Sequence, residues 1–245
     1  AGSGLDRIDA LIPCGSPICG VAVPAGGSPL CGLCTSRVVP VPPPVCPRCG
    51  LTGVCPGPAP GECADCHSWA PSLRRAASAC LHVGAAADLV RGFKYRGWTG
   101  LADFMGDCML PAALRLAAGR APILVPVPLA RARRRERGFN QADLLARALS
   151  RRTNWPVEPL LRRERGGPSL ARLGRRERER VAEHAYSLDP TSLPAVDPHS
   201  HLLIVDDVIT TGATAVACAE ALSAAGAECL GIVSFARTDP LAEPG

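Results

Sequence analysis

The sequence is poor in aromatic residues, at 4% of 245 positions, so aliphatic side chains and alanine must fill whatever core it builds. Lysine is almost absent: Lys94 stands alone, and arginine supplies the rest of the positive charge. That skew reads as a compositional bias and not as a function. The net charge of +5 suits an anionic ligand without by itself pointing to nucleic acid. No uninterrupted run of about 18 apolar residues occurs, so a membrane-spanning helix is not expected. The opening residues AGSGLDRIDALIPC lack a basic stretch and a long apolar run, so no secretory signal is expected either. The expectation is a cytoplasmic protein without membrane insertion, in a reducing setting that disfavours disulfides.

Cysteine, in contrast, is plentiful. Nine of the 13 lie between Cys14 and Cys66, in a stretch dense in proline and glycine with little apolar periodicity. Past residue 71 the composition turns to alanine, leucine and arginine at helical spacing. The boundary is set near 69–73, which predicts a small module over 1–70 and a larger domain over 71–245. The cysteines come in pairs: Cys14-x4-Cys19, Cys31-x2-Cys34, Cys46-x2-Cys49 and Cys63-x2-Cys66. Each pair puts two thiolates on one turn, and four such sulfurs make a tetrahedral zinc site. The simplest partition gives two structural Zn2+ ions, one on Cys14, Cys19, Cys31 and Cys34, the other on Cys46, Cys49, Cys63 and Cys66. Cys55 is left over. Disulfides or redox pairs are the rival account, but a segment with no other core needs metal to hold it. His67 and His82 are expected at the surface. Cys80, Cys108, Cys218 and Cys229 sit in apolar contexts and are expected in the core.

The larger region alternates between helix and strand patterns. Helices are expected over 101–118, 140–152 and 213–225, and buried strands over 123–127, 157–161, 202–205 and 230–235. Strand–helix–strand at this spacing implies an α/β fold with a parallel sheet.

Residues 202–215 read LLIVDDVITTGATA. Four aliphatics make a strand buried on both faces, two acids follow, then a turn of small residues, then a helix. Ligands of parallel sheets sit beyond the carboxyl ends of the strands. Thr210, Thr211, Gly212, Ala213 and Thr214 offer backbone N–H groups and three hydroxyls to an anion, with the positive end of a helix behind them. Gly212 permits a positive φ or a close approach by a ligand. Asp206 and Asp207 would repel a phosphate but suit sugar hydroxyls, which donate to carboxylates. An anion cradle beside a diol binder describes a ribose 5-phosphate. A nucleotide-binding loop of the Walker type would need a lysine that is absent here.

This segment resembles the phosphoribosyl pyrophosphate signature of type I phosphoribosyltransferases. Three other stretches narrow the resemblance to the ComF family: Phe93-Lys94-Tyr95-Arg96-Gly97, then Val125-Pro126-Val127-Pro128-Leu129 with Arg133 and Arg137-Gly138-Phe139-Asn140-Gln141, and the closing Ala236-Arg237-Thr238. The cysteine pairs resemble that family's double zinc ribbon. The resemblance implies a type I phosphoribosyltransferase core behind a zinc ribbon module. It implies binding of 5-phosphoribosyl-1-pyrophosphate with Mg2+ and transfer of the phosphoribosyl group to a nitrogen acceptor. In that scheme Asp206 and Asp207 are the catalytic acids, residues 210–214 hold the 5-phosphate, and Arg133 and Arg137 face the pyrophosphate. The alternative implied by the same family is a non-catalytic, ligand-sensing or DNA-handling accessory protein, with single-stranded DNA or the competence machinery as partner.

One departure stands out. Leu170 lies where the family carries Gln, and Val181 where it carries Asn, although Arg178 fits; these positions belong to the hood that closes over substrate in type I enzymes. The remaining arginines of 131–137 and the mixed charges of 172–180 read as solvated faces. Trp69, Trp98 and Trp155 are expected to pack locally.

Overall fold

The computed structural model describes residues 15–24, 26–53, 63–164, 185–191 and 200–239. In chain order the elements are α1 (Gly32–Ser36), β1 (Ala76–Leu81), α2 (Gly84–Tyr95), α3 (Ala102–Ala117), β2 (Ile123–Pro126), α4 (Arg131–Arg137) and α5 (Gln141–Thr153). They continue with β3 (Leu161–Arg163), β4 (Tyr186–Leu188), β5 (His201–Ile209), α6 (Ala213–Ser223) and β6 (Glu228–Arg237).

Four strands form one parallel sheet in the order β1-β6-β5-β2, flanked by helices. The aliphatic run of β5 explains why its two faces are both covered. Leu202 and Ile204 point into a core shared with Ala215, Cys218 and Leu222 of α6. Leu203 and Val205 point into the opposite core, shared with α2, α3 and α5. All four are fully buried, each contributing roughly 1.5–3 kcal/mol. The α/β architecture expected from the sequence is thus the one observed.

Several boundaries differ from the expectation, each for a tertiary reason. β5 runs on to Ile209 because it stays paired with β6 as far as Ile209 and Arg237, so Asp206 and Asp207 lie inside the strand and not beyond it. The strand expected at 157–161 is a single bridge, Val157 to Leu124; the regular strand begins at Leu161 and pairs antiparallel with β4. Neither β1 nor α2 was anticipated. The sequence AASACL carries no alternation, and β1 becomes a strand by pairing with β6.

Packing runs across residue 70. Cys46, Cys49, Cys63 and Cys66 belong to the same core as β5 and α6. The outer edge of β1 is also closed from that side: Leu81 N–H donates to Val39 O at 2.9 Å, and Ala76 N–H to Arg48 O at 2.7 Å. No helix among the described residues is long and apolar enough to cross a membrane.

Candidate functional site at the end of the central strands

The two acids, the 210–214 turn and the start of α6 meet at the carboxyl end of β5. Gly212 has φ +86° and caps α6, which only glycine does at little cost. Thr211 Oγ1 accepts from Ala213 N–H at a long 3.4 Å, so the hydroxyl is held only weakly to its own backbone. Thr210 is exposed and Thr214 half-buried, and the buried Tyr186 of β4 lies against Thr214 and Asp206. The turn therefore offers N–H groups and hydroxyls at the positive end of an 11-residue helix.

The acids are unlike each other. Asp207 is 5% exposed and forms an ion pair with Lys94 Nζ at 2.9 Å. Asp206 is half-buried, with Oδ1 accepting from Asp207 N–H at 2.8 Å. Burial, then the neighbouring Asp207 charge, pushes the Asp206 carboxyl up to about 8, against the pull of Lys94. His82 is half-buried beside this group and not at the surface as expected; burial, then Lys94, holds its imidazole below the usual range.

Lys94 lies in the last turn of α2, and the next residue, Tyr95, carries the arrangement further. The Arg137 guanidinium lies over the Tyr95 ring at 4.8 Å, and Phe93 meets Phe139 at 6.1 Å. Arg137 of α4 is thereby tied to the acid pair through Tyr95 and Lys94, while Arg133 is half-buried one turn earlier on α4. Asn140 has a scaffold role: its Oδ1 accepts from Ala142 N–H at the start of α5, and its Nδ2 donates to Val127 O at 3.0 Å. Beside this edge lies a cavity of about 780 Å³ whose lining includes Arg131, Arg134, Arg147, Arg162 and Arg163.

DNA utilization protein YhgH of Escherichia coli K12 is 30% identical over 230 residues, spanning 90% of this chain and 96% of that protein. Competence protein ComFC of Bacillus subtilis is 27% identical over 192 residues, 76% of this chain and 74% of the other. Competence protein F of Haemophilus influenzae is 28% identical over 186 residues, 72% and 78% of the two chains. The chain belongs to the ComF family. No family model matches it.

Two cysteine groups of this ComF chain can hold a metal. In the buried one, Sγ–Sγ distances are 3.7 Å for Cys46–Cys66, 3.4 Å for Cys49–Cys63 and 3.6 Å for Cys63–Cys66. A tetrahedron with metal–sulfur arms of about 2.3 Å has edges of roughly 3.8 Å, so four thiolates fit Zn2+ without rearrangement. The other group gathers Cys19, Cys31 and Cys34, with Cys19–Cys31 at 3.5 Å. Cys14 lies outside the described residues, as do Cys55, Leu170, Arg178 and Val181.

Three residues with a place at this edge were given no role from sequence. Lys94 had a signal, being the only lysine. Trp69, expected to pack locally, instead donates Nε1–H to Thr211 O at 3.2 Å. Its ring occupies the space a Cβ at Gly212 would need, 2.3 Å from Trp69 Cζ2. That face of Gly212 is closed by protein, so any ligand must meet the turn from elsewhere. Arg237, quoted only as part of the closing Ala-Arg-Thr, is fully buried beneath Trp69.

Proposed function

We propose that this ComF protein binds 5-phosphoribosyl-1-pyrophosphate together with Mg2+ and transfers the phosphoribosyl group to a nitrogen acceptor. The observation that carries the reading is one strand end, Asp206 to Thr214, where an acid pair fixed by Lys94 stands beside an anion-binding turn on a helix N-terminus. The turn 210–214 would take the 5-phosphate through backbone N–H groups and the Thr211 and Thr214 hydroxyls. Asp206 has an oxygen left to accept from ribose hydroxyls, and Asp207 sets the position of Lys94. Arg133 and Arg137 would face the pyrophosphate, guanidinium being suited to bidentate contact with phosphate.

Among the described residues no three His, Cys, Asp or Glu side chains converge here, the two cysteine groups apart. Mg2+ keeps several waters and binds mainly through substrate phosphates with one or two carboxylates, a part that Asp206 could play. When bound it would neutralise charge on the departing pyrophosphate. The protein's own part is to orient the ribose and to place carboxylates against the positive charge that grows on the ring. Zn2+ on Cys46, Cys49, Cys63 and Cys66 would be structural, all four corners being filled by protein, and a second ion would sit at Cys19, Cys31 and Cys34 with Cys14.

A second reading keeps ligand binding and drops turnover, making the protein a DNA-handling accessory. It is favoured by the relatives' names and by the arginines along the neighbouring cavity, although Arg147 and Arg162 there are paired with Asp143 and Glu164. The test is a pyrophosphate-release screen over nucleobases in the presence of Mg2+, run beside titration with single-stranded DNA. Release with any base supports the transferase. Salt-sensitive DNA binding with no release supports the accessory role.

A further inference from the structure

Arg237 is among the largest fully buried side chains, at 1% exposed, on the last residue of β6. Its Nε and Nη1 have no hydrogen-bond partner among the described residues. A buried guanidinium with two of its nitrogens unpaired is among the costliest groups in a protein interior. The negative groups that face it are Cys49, Asp65, Asp239 and Cys63. Two of these are thiols of the buried cysteine group. Four thiolates around one divalent ion leave that group doubly negative, which would add to the charge of the two carboxylates facing the guanidinium.

The other side of Arg237 faces Trp69, with the guanidinium 5.8 Å from the ring centroid. Trp69 follows Cys66 by three residues, and its backbone N–H donates to Cys66 O at 3.0 Å. Arg48, which sits between Cys46 and Cys49, clamps the same turn by donating to Cys66 O, Trp69 O and Ala70 O at 3.1, 2.9 and 3.2 Å. The far edge of the indole then holds the 210–214 turn, through its hydrogen bond to Thr211 O and its packing on Gly212. The C-terminal strand end is locked to the same module: Asp239 Oδ2 accepts from the Thr52 N–H at 3.1 Å and from the Thr52 hydroxyl.

We propose that Arg237 and Trp69 are positioning residues that transmit the state of the Cys46/Cys49/Cys63/Cys66 site to the 210–214 turn. With metal bound, the charged cluster holds Arg237, Arg237 supports the Trp69 ring, and Trp69 fixes Thr211 and Gly212 in the shape that receives an anion. With metal lost, Arg237 loses part of its counter-charge, the Cys66–Trp69 turn relaxes, and the anion-binding turn loosens with it. The proposal rests on the ribose-phosphate reading only for the identity of the ligand.

The experiment uses the full zinc-loaded chain, compared with Trp69→Phe, Arg237→Gln and Arg237→Lys. Three quantities are read: zinc transfer to a chromophoric chelator, amide hydrogen exchange over 208–216 without ligand, and affinity for ribose 5-phosphate. Trp69→Phe keeps an aromatic side chain but removes both the N–H donor and the indole edge that packs on Gly212. It is expected to retain zinc like the parent, while the 210–214 amides exchange about tenfold faster and ribose 5-phosphate binds roughly tenfold more weakly. Arg237→Gln is expected to lose zinc about 10–100-fold more readily and to loosen the same amides, with Arg237→Lys in between. Should Arg237→Gln fail to fold, Arg237→Lys and chelator-stripped parent give the same exchange readout, with β2 and β5 amides as the internal control. Unchanged exchange at 210–214 in both Trp69→Phe and stripped parent overturns the relay. A parent that shows the coupled exchange but ignores ribose 5-phosphate overturns the ligand assignment and leaves the relay standing.

Discussion

The two cysteine-bearing turns at 16–21 and 46–51 share one backbone design and differ in what they touch. Ser16 N–H donates to Val21 O and Gly20 N–H to Ser16 O; Cys46 N–H donates to Leu51 O and Gly50 N–H to Cys46 O. Both turns close with an antiparallel bridge, Gly15–Ala22 and Val45–Thr52, and both use a glycine at positive φ. The sequences SPICG and CPRCG align residue for residue, and the corner held by Cys46 in the inner turn is held by Ser16 in the outer one. Ser16 is 1% exposed, and its hydroxyl lies against Cys19 and Cys34. The inner group is buried in the core of α6 and reaches the acid edge through Trp69. The outer group is exposed at Cys19 and half-exposed at Cys31. The same motif thus serves one region as a foundation and the other as a peripheral clasp.

The largest test of that contrast is Cys49→Ser against Cys19→Ser. Zinc-coupled folding is worth on the order of 10 kcal/mol in small zinc modules, so losing an inner thiolate should melt the 46–69 segment and abolish ligand binding. The outer substitution should cost one zinc and leave ligand affinity within about twofold, ordinary for a surface change. Equal losses in calorimetry and metal analysis would erase the distinction.

Ser16→Cys should restore the inner pattern to the outer turn and raise its zinc retention at least about tenfold, a thiolate being a far better zinc ligand than a hydroxyl. If Cys14 already supplies the fourth thiolate, Ser16→Cys will change nothing and Cys14→Ser will release the ion. Chelator titration with zinc counted per chain decides between the two ligand sets.

A smaller effect separates the acids from the turn. Above about pH 8, where the Asp206 carboxylate has formed, Asp206→Asn should weaken ribose 5-phosphate by about 1.5–3 kcal/mol per lost charged hydrogen bond, while inorganic phosphate binds as before or slightly better. Inner-turn variants should weaken both ligands together, since they act on the anion-binding turn. The slightest signal is pH. The Asp206 carboxyl is raised to about 8 from an ordinary value near 4. Between those values the native chain holds a proton that the unfolded chain has given up. Ligand-free stability should therefore fall as pH rises through that window, and affinity for the ribose should rise as the carboxylate forms. Asp206→Asn should flatten both slopes, as read by thermal melts and calorimetry from pH 5 to 9.

What could be read from sequence was whatever is local. The aliphatic run of β5, the Thr-Thr-Gly-Ala-Thr turn and the cysteine spacings each carry their geometry within a few residues, and the α/β architecture followed from their order. What escaped depends on partners distant in the chain. β1 has no pattern of its own and exists because β6 lies beside it. Trp69 reads as one scattered aromatic, since nothing in its neighbourhood announces a contact 142 residues away with Thr211. Arg237 ends an apolar strand, where only its burial and its unpaired nitrogens reveal its cost. Asp207 was expected to hold sugar hydroxyls, yet its carboxylate is engaged by Lys94, which leaves Asp206 the freer of the two.

The central claim is that the strand end of Asp206 to Thr214 receives a ribose-phosphate ligand, and calorimetric titration of 5-phosphoribosyl-1-pyrophosphate with Mg2+ tests it most directly. The zinc-loaded parent should bind one ligand per chain, and Thr211→Val and Asp206→Asn should each weaken it about tenfold or more with zinc content unchanged. A parent that gives no binding heat under these conditions, or variants that bind as tightly as the parent, would contradict the account.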